Sequence, residues 1–507
     1  MSSCRRRVLI IYHEPPHARR VTVRQHYRAL EDCCDRYEIS YYNAYDAVPD
    51  WSILDDSRWS VPMELAGITF AAVILHYTFL GHRSLGLPFY HWKRKFDWIA
   101  DLTCLKIAIP QDEGDYAGVL DDWLLQLGVT VVFSVHFSEA GPLYPGMRNH
   151  ATFYPCLPGY VDEKAANEYA GRLLPIASRK KTLVYRARRL PHCYGTAGRL
   201  KYEIGDVMAE SVAAMGIKVD ISTRDEDAIY GNAWFDFLAS SKAVIGTQGG
   251  FSVIDWRGEV KEKVRELLAQ SPGLAMAEVD AAMPDGWDDH QLLTVTPRHF
   301  DAAVMKTSQV LIEGKYKGVL WPHRHYIPLK ADLSNTDEVI ENLRDDGRLQ
   351  ELADQTYEDI VISGRYSYQV FAEKLAEALE NHLQEGAPAQ RESTTPFTNR
   401  EAVAALERQL AQERQQNALL GYKLDEFRNR IPAVVHEAVV QSAKCTIDQT
   451  VRQAIEQTLA NAPESQPDEP FRAHNPTLIK WSLMVSVMAL LVSTILLLMF
   501  LFWNPLR

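Results

Sequence analysis

The chain has 507 residues, 47% hydrophobic and 24% charged, which is the composition of a globular protein and excludes disorder throughout. Its formal net charge of −12 argues against a nucleic-acid-binding protein, because neutralising phosphates requires a basic surface. The mean hydropathy of −0.22 excludes a polytopic membrane protein but allows a single span. Seven cysteines without a CxxC pair argue against a disulfide framework and a structural zinc site.

The first 157 residues predict a parallel α/β domain. Continuous runs of Val, Ile and Leu, rather than strict alternation, are typical of strands buried on both faces of a parallel sheet. Such runs occur at 8–12, 37–42, 71–77, 105–110 and 129–134, with helix-length intervals between most of them. We therefore expect a Rossmann-like domain over residues 1–157.

A second series of the same kind follows a segment rich in proline and glycine at 153–163. Its predicted strands are 181–187, 216–222, 242–247, 317–322 and 325–330, and its last predicted helical segments are 336–356 and 366–383. The fold class expected is therefore α/β, with two Rossmann-like domains that face each other, the second spanning 158–384.

The chain beyond the second domain is predicted to be elongated rather than globular. Residues 385–400 are a polar, proline-bearing linker, and 461–480 form a flexible acidic joint. Between them, residues 401–460 form a helical stalk whose first part has a core position at alternating steps of three and four residues, which is typical of a coiled coil. Asn417 falls at a core position that favours a parallel two-stranded arrangement, so we expect a parallel homodimer. A single amphipathic helix lying on the body is the alternative.

A transmembrane helix is predicted at 481–503, where 23 residues contain no charge and a tryptophan stands at each end. A buried core helix is the alternative, but the run has no polar face. The N-terminal apolar run of five residues is too short for a signal peptide. We therefore expect a single span in the inner (cytoplasmic) membrane, with the body facing the cytoplasm.

Loops that follow strands are the places to look for ligands in α/β sheets. The loop 185–201 contains Arg188 and Lys201 on a glycine-bearing turn ahead of a helix, a pattern that suits a diphosphate held by cations and a helix terminus. A solvated basic loop is the alternative. Gly249 and Gly250 follow a later strand, where paired glycines allow backbone N–H groups to approach a ligand. A simple tight turn explains them equally well.

Two further groups of candidate residues follow other predicted elements. Glu313, beside a glycine, suits a contact with ribose hydroxyls, and His323 and Arg324 suit phosphate; an exposed carboxylate and a surface basic cluster are the alternatives. In the first domain, His13 and the pair Asp112 and Glu113 follow strands and share the carboxyl edge of the predicted sheet. Any of these three could act as a general base on an acceptor hydroxyl, or have only a structural role.

Several catalytic motifs are missing from the sequence, including GxxxxGK[ST], HExxH and GxSxG. Residues 225–227 form a DxD pattern, which elsewhere holds a metal ion and a diphosphate. Here it lies in a polar stretch just past a strand, so we interpret it as an acidic loop or helix start. The sequence therefore predicts neither a metal site nor a cofactor.

Taken together, these residues resemble the GT-B glycosyltransferases, specifically the bacterial family-one-like enzymes that act on cell-envelope or surface glycans. The resemblance covers roughly residues 6–383 and depends mainly on the segments 109–116, 185–201, 240–260 and 313–334. It implies that the first domain binds the acceptor and the second a nucleotide sugar. It also implies that Arg188 and Lys201 hold the donor diphosphate, that Glu313 binds the ribose, and that Gly249 and Gly250 line the donor site.

The sequence thus predicts a membrane-tethered, metal-independent glycosyltransferase that moves a sugar from a nucleotide-diphosphate donor to a hydroxyl of a glycan or lipid-linked acceptor, in the synthesis of surface polysaccharide. Its expected partners are the nucleotide sugar, the acceptor and the membrane, without nucleic acid, and the donor is a substrate rather than a cofactor. Two alternatives are a non-catalytic membrane-anchored scaffold on a degenerate transferase body and a sugar-nucleotide epimerase of similar two-domain architecture.

Overall fold

The computed structural model describes residues 5–15, 21–33, 35–48 and 57–384. The predicted linker, stalk, joint and transmembrane helix lie outside the described residues and stay predictions. Within the described ranges, no helix combines the length and the apolar character needed to cross a bilayer.

Six parallel strands form the first sheet. They are β1 (Arg6–Tyr12), β2 (Tyr37–Asn43), β3 (Ala72–His76), β4 (Leu105–Ile109), β5 (Val131–Ser134) and β6 (Thr152–Pro155). Their order in the sheet is β2-β1-β3-β4-β5-β6. Every residue of β3, β4 and β5 is buried, as expected for strands covered on both faces. The five predicted strands are confirmed. The sixth strand, β6, was not predicted, because its sequence TFYP contains no aliphatic run and is partly exposed.

Five parallel strands form the second sheet, and a separate two-stranded antiparallel sheet accompanies it. The five-stranded sheet consists of β7 (Lys181–Arg186), β8 (Val219–Ser222), β9 (Ser241–Gly246), β12 (Ser308–Ile312) and β13 (Tyr326–Leu329), and the two-stranded sheet of β10 (Gly249–Phe251) and β11 (Leu292–Thr294). The order in the sheet is β13-β12-β9-β7-β8. The described chain therefore contains two parallel, Rossmann-like sheets, as predicted.

The strand predicted at 317–322 is wrong. The strand at this place in the fold is β12, and Tyr316–Gly318 form a 3₁₀ turn instead. Lys317 has a φ of +51° and Gly318 a φ of +76°, and these left-handed conformations end any extended backbone. In β12, two buried polar residues precede only three aliphatic ones, which hides the strand in the sequence.

Sixteen α-helices surround the sheets within the described residues. They are α1 (Val21–Arg28), α2 (Ala44–Ala47), α3 (Tyr77–Leu80), α4 (Leu87–Arg94), α5 (Trp98–Asp101), α6 (Ala117–Leu127), α7 (Ala140–Leu143), α8 (Glu163–Tyr169), α9 (Gly195–Ala214), α10 (Asn232–Ala239), α11 (Glu259–Gln270), α12 (Met276–Ala282), α13 (Pro297–Val304), α14 (Thr336–Arg344), α15 (Asp346–Thr356) and α16 (Tyr368–Gln384). The predicted segment 336–356 comprises α14 and α15, and the predicted segment 366–383 corresponds to α16.

The last described helix, α16, returns to the first sheet. Phe371 and Leu375 are buried in the same core as Ile107 of β4. At the edge of this contact, the hydroxyl of Tyr37 donates to the carboxylate of Glu380 at 2.9 Å. The first sheet is therefore covered partly by a helix that follows the whole second sheet in the chain.

The two-stranded sheet β10–β11 packs against the core of the first sheet. Phe251 and Leu292 are buried in the core on one face of the first sheet, where burial of each side chain is worth about 1.5–3 kcal/mol. Gly114 lies against both of them, and a Cβ at this position would overlap their side chains. Beside this contact, the Asp255 amide donates to the Gly114 carbonyl at 2.8 Å, and the Ala117 amide to the Asp255 carbonyl at 2.9 Å. These contacts hold the carboxyl ends of the two sheets near each other.

Candidate active site

A cleft of about 420 Å³ opens at the carboxyl ends of β7, β9 and β12. From β7 the chain goes to β8 on one side and then to β9 on the other, so the cleft lies at the topological switch point of the second sheet. Ligands of open α/β sheets bind at this place. The volume falls within the range of about 300–1,000 Å³ that is typical of small-molecule sites.

Two of the predicted donor-binding residues, Arg188 and Lys201, line this cleft. The Arg188 guanidinium donates to the hydroxyl of Tyr230 at 2.8 Å, and the Lys201 ammonium donates to the carbonyl of Gly250 at 2.6 Å. Desolvation lowers the pKa of Lys201 to about 8, against the opposing effect of the Asp112 carboxylate. Lys201 is therefore still a cation at neutral pH, in surroundings where its charge acts strongly on a ligand.

The two adjacent glycines differ in their place: Gly249 is among the residues that line the cleft, whereas Gly250 is required by the backbone conformation of β10. Gly249 lines the cleft, and Gly250 has a φ of +86°. A Cβ on Gly250 would overlap the carbonyl of Leu292 on the neighbouring strand, so only glycine fits there. This backbone conformation places the Gly250 carbonyl where it accepts the hydrogen bond from Lys201, so β10 contacts the cation of the cleft.

The start of α9, which the sequence predicts as part of the diphosphate site, is occupied by side chains of the protein itself. The Thr196 amide donates to the carboxylate of Asp288 at 2.6 Å, and the Ala197 amide donates to the hydroxyl of Ser252 at 3.1 Å. Because these caps already bind the amide groups, they are not available to a ligand. This corrects the expectation: side chains, rather than the terminus of α9, supply the positive charge of the cleft.

Glu313 lies at the end of β12, next to the cleft but not among the residues that line it. Its backbone amide donates to the Leu329 carbonyl at 2.9 Å, and its side chain is exposed. The following Gly314 lies against the side chain of Gln248, which does line the cleft. The structure therefore brings Glu313 to the correct sheet edge, and its contact with a ribose stays a prediction.

His323 and Arg324 do not line the cleft, which corrects their place in the predicted phosphate site. Arg324 instead forms an ion pair with Asp359 at 2.7 Å. His323 has a φ of +61° in the turn before β13, and its carbonyl accepts a hydrogen bond from Arg348 at 2.7 Å. The turn directs these residues toward α15 and the segment that follows it, rather than toward Lys201.

Asp112 is a first-domain candidate whose charge acts on Lys201, although it is not among the residues that line the cleft. It follows β4 with a φ of +50°, and the buried guanidinium of Arg83 donates to its carbonyl and to those of Gln111 and Asp115. Within the described ranges, its carboxylate has no hydrogen-bond partner, and it is close enough to Lys201 to raise the pKa of that residue. Asp112 is exposed to solvent, yet desolvation by the surrounding protein raises its pKa.

Glu113, the neighbouring candidate base, is assigned to the interior of the first domain. Its carboxylate is fully buried and accepts hydrogen bonds from Ser134 Oγ at 2.7 Å, Tyr144 Oη at 2.7 Å and the amides of Val135 at 2.7 Å and His136 at 3.1 Å. The four hydrogen bonds offset the cost of removing this carboxylate from water. Because its oxygens are buried, they do not reach a substrate. The geometry therefore gives Glu113 a structural role, which corrects the expectation that it acts as a base.

His13 lies at the same edge of the first sheet, after β1. Its amide donates to Thr78 Oγ1 at 3.0 Å, and its ring centroid is 4.0 Å from that of His82. Desolvation lowers the pKa of His13 to about 4, so the imidazole is neutral at physiological pH. β3 separates β1 from β4, which puts His13 about 10 Å from the strand that precedes Asp112. His13 and Asp112 thus share an edge but occupy separate positions along it.

Three further residues line the cleft but were not predicted from the sequence as site residues: Arg298, Trp234 and Asp301. Arg298 is the second residue of α13, and Asp301 is one turn further along the same helix. The pattern Thr296–Pro297, an N-cap residue followed by a first-turn proline, marks a helix start and would have located this turn. What it does not reveal is that the helix starts at the cleft.

The acidic stretch at 225–227 is a 3₁₀ turn, as its interpretation as an acidic loop implies. The carboxylate of Asp227 accepts from Ser222 Oγ at 2.6 Å and from the Arg224 guanidinium at 2.8 Å, and Asp225 lies 3.4 Å from Arg188. Across the described residues, no group of three His, Cys, Asp or Glu side chains is arranged to hold a metal ion.

No protein-family model matches the chain, and no curated protein matches it significantly. Sucrose-phosphate synthase from Thermosynechococcus elongatus is similar in structure, with a TM-score of 0.43, 9% identity, and coverage of 75% of this chain and 100% of that chain. An alpha-glucosyltransferase in complex with UDP and a 13-mer DNA gives a TM-score of 0.41, 8% identity and coverage of 75% and 100%. HepE from Anabaena in complex with UDP gives 0.39, 8%, 74% and 100%. The two parallel sheets agree with the α/β class of two Rossmann-like domains expected from the sequence.

Proposed function

We propose that this protein is a glycosyltransferase that moves a sugar from a nucleoside-diphosphate sugar to a hydroxyl of a glycan or lipid-linked acceptor. One observation carries the proposal: Arg188 and Lys201 line a cleft at the switch point of the second sheet, and the carboxylate of Asp112, in the first domain, is close enough to Lys201 to raise its pKa. The two cations suit a diphosphate, and the carboxylate suits an acceptor hydroxyl. The proposal thus assigns a group to each side of the transferred sugar.

On the donor side, the diphosphate gains negative charge as its bond to the anomeric carbon breaks. Fixed cations that are already in place stabilise this charge more in the transition state than in the bound donor, and they therefore accelerate the reaction. Arg188 offers a planar fork and Lys201 a point charge, which suit different phosphate oxygens. In this proposal the nucleotide sugar is a substrate, and neither a metal nor a cofactor is invoked.

On the acceptor side, Asp112 is the general base if the transfer inverts configuration. The acceptor hydroxyl gives its proton to the Asp112 carboxylate, its oxygen bonds to the anomeric carbon, and the diphosphate leaves with the electrons of the broken bond. The raised pKa of Asp112 brings it closer to the operating pH, which favours proton transfer. A transfer with retention needs no such base, and His13 is the second candidate in an inverting reaction.

The predicted tail extends the proposal to the place of action. A transmembrane helix at 481–503 would tether the two-domain body to the inner membrane on its cytoplasmic side, and a parallel coiled coil within 401–460 would join two copies. Tethering raises the effective concentration of the body near membrane-bound acceptors. We therefore propose a role in the synthesis of cell-envelope or surface polysaccharide.

The proposal is tested by calorimetric titration of the detergent-purified, full-length protein with UDP, GDP, ADP and dTDP and their glucose conjugates. We expect one nucleoside diphosphate to bind, and slow release of that diphosphate from its sugar conjugate in the absence of acceptor. Absence of binding by every nucleotide would overturn the proposal in favour of a non-catalytic scaffold. Binding followed by release of an epimerised sugar or sugar nucleotide without acceptor would favour an epimerase.

A further inference from the structure

Arg298 projects from the start of α13 into the same cleft as Lys201. Its guanidinium donates a hydrogen bond to the backbone carbonyl of Arg186, at the end of β7. The guanidinium carbon also lies 5.2 Å from the ring centroid of Trp234, within the distance of a cation–π contact. A carbonyl on one side and an aromatic face on the other fix the direction of this long side chain.

Trp234 is itself held by a residue of α13. Its indole N–H donates to the carboxylate of Asp301 at 2.9 Å, and Asp301 is buried. Arg298 and Asp301 are three residues apart on one helix, so the contacts from Arg298 to Trp234 to Asp301 form a closed loop between α13 and α10. Burial, with a contribution from Asp162, raises the pKa of Asp301 to about 7. The helix thus keeps a carboxyl group in an unfavourable place, where it orients the indole.

Arg298 and Lys201 are close enough for their charges to repel each other. After desolvation and the opposing effect of Asp112, the charge of Arg298 is a further cause that lowers the pKa of Lys201. Two cations that converge in a site partly shielded from water are unfavourable unless an anion lies between them. A diphosphate, which carries about two or three negative charges at neutral pH, is such an anion.

We propose that Arg298 binds the phosphates of the donor together with Arg188 and Lys201, and that Trp234 and Asp301 are positioning residues for it; this inference rests on the proposed function. Arg298 thereby takes the place in the cleft that the sequence assigned to His323 and Arg324. The competing explanation is that Arg298 only supports the end of β7 through the Arg186 carbonyl.

The test compares two affinities in the full-length protein: that of the nucleoside diphosphate that binds the wild type most tightly among UDP, GDP, ADP and dTDP, and that of its nucleoside. Arg298→Ala should weaken diphosphate binding by about tenfold or more, since a hydrogen bond to a charged group is worth about 1.5–3 kcal/mol. Nucleoside binding should change less than twofold. Arg298→Lys should recover part of the loss, because it keeps the charge but not the fork.

The positioning pair is tested by Trp234→Leu, which removes the aromatic face, beside Trp234→Phe, which keeps it without the N–H. We expect Leu to weaken diphosphate binding severalfold and Phe to weaken it less; Asp301→Asn, which still accepts from the indole, should stay near the wild type. Arg172→Ala is the matched control, because Arg172 stacks on Tyr169 at 4.7 Å but does not line the cleft.

The outcomes separate the inference from the function on which it rests. If the wild type binds a diphosphate and Arg298→Ala binds it equally well, the inference is overturned while the proposed function stands. Equal losses for diphosphate and nucleoside, or a thermal midpoint far below that of Arg172→Ala, would assign Arg298 to support of β7 instead. If the wild type binds none of the four diphosphates, the proposed function fails first.

Discussion

The carboxyl edges of the two sheets differ in how they use their polar residues. At the edge of the first sheet, the Glu113 carboxylate accepts hydrogen bonds from its own domain. The buried His76 forms a hydrogen bond with His26 at 3.1 Å. At the edge of the second sheet, Arg188 and Lys201 line an open cleft. Glu113 and Arg188 both follow strands, whereas His76 ends β3 and Lys201 lies in α9. Position near a strand end therefore identifies candidates but does not separate structural residues from candidate functional ones.

Asp112 is the exception at the first edge, and it shows what makes the difference. Its neighbour Glu113 points into the domain, whereas the left-handed backbone at Asp112, held by Arg83, leaves its carboxylate without a hydrogen-bond partner in the described part of the chain. The functional character of a strand-end residue thus depends on whether its polar atoms are already satisfied. The following predictions test this distinction.

The largest effect is expected for Asp112→Asn. Loss of the general base should lower kcat by about 10²–10⁴-fold, because proton transfer contributes a factor of this size. The thermal midpoint should hardly change, since the carboxylate makes no hydrogen bond that folding depends on. Steady-state kinetics and a thermal melt check both parts, with the exposed Asp285→Asn as control. An unchanged kcat would remove Asp112 from the mechanism.

Lys201→Met should lower kcat/KM by about 10²–10³-fold, because it removes a fixed charge that stabilises the leaving diphosphate. The matched control is Lys180→Met, since Lys180 is exposed and immediately precedes β7, at the opposite end of the same sheet. Similar kinetics in the two variants would mean that the cleft of the second sheet is not the donor site.

Glu113→Gln should show the reverse of the Asp112 result. Both backbone amides donate to one carboxylate oxygen and the Ser134 and Tyr144 hydroxyls to the other, so a Gln side chain forces the two hydroxyls to accept instead of donate and loses the charge that strengthens all four bonds. We expect a loss of about 1–3 kcal/mol in the free energy of unfolding. At a temperature where the variant is folded, kcat should stay within a few fold of the wild type. A stable but inactive Glu113→Gln protein would contradict the structural assignment.

The smallest effect is a pH dependence of kcat/KM, which reports the ionisation of the free enzyme. Lys201 acts as a cation, so kcat/KM should fall as the pH rises through about 8, where its ammonium loses a proton. Asp112 acts as a carboxylate, so the acid limb should lie above the range of an ordinary aspartate, because burial raises its pKa. Lys201→Arg should remove the alkaline limb while keeping the acid one. Persistence of the alkaline limb in this variant would assign it to another group.

The sequence predicts much of this arrangement, for physical reasons that are visible in the strands. Aliphatic runs identify most strands of both sheets, and the carboxyl-edge rule then leads to Lys201 and Arg188. The same rule cannot choose between Asp112 and Glu113, since adjacent residues are separated only by the backbone dihedral at Asp112. The sequence does not predict Arg298 as a cleft residue, because Arg298 follows β11. The pairing of β11 with β10 is a long-range contact, which local sequence patterns do not reveal.

The errors have related causes. The predicted strand at 317–322 and the placement of His323 and Arg324 both come from one stretch, in which left-handed backbone at 316–318 and at His323 turns the chain away from the cleft. The predicted anion site at the start of α9 fails because Asp288, some ninety positions later, caps that helix. In each case a tertiary contact overrides a local pattern that is chemically reasonable.

The most direct test of the central claim is a crystal or cryo-EM structure of the protein with its bound nucleoside diphosphate. We expect phosphate oxygens within hydrogen-bond distance of Lys201 Nζ and the Arg188 guanidinium. We also expect the Asp112 carboxylate to face the β-phosphate, to which the sugar is attached in the donor. A diphosphate bound away from the cleft, or in the cleft with its phosphates turned away from both cations, would contradict it.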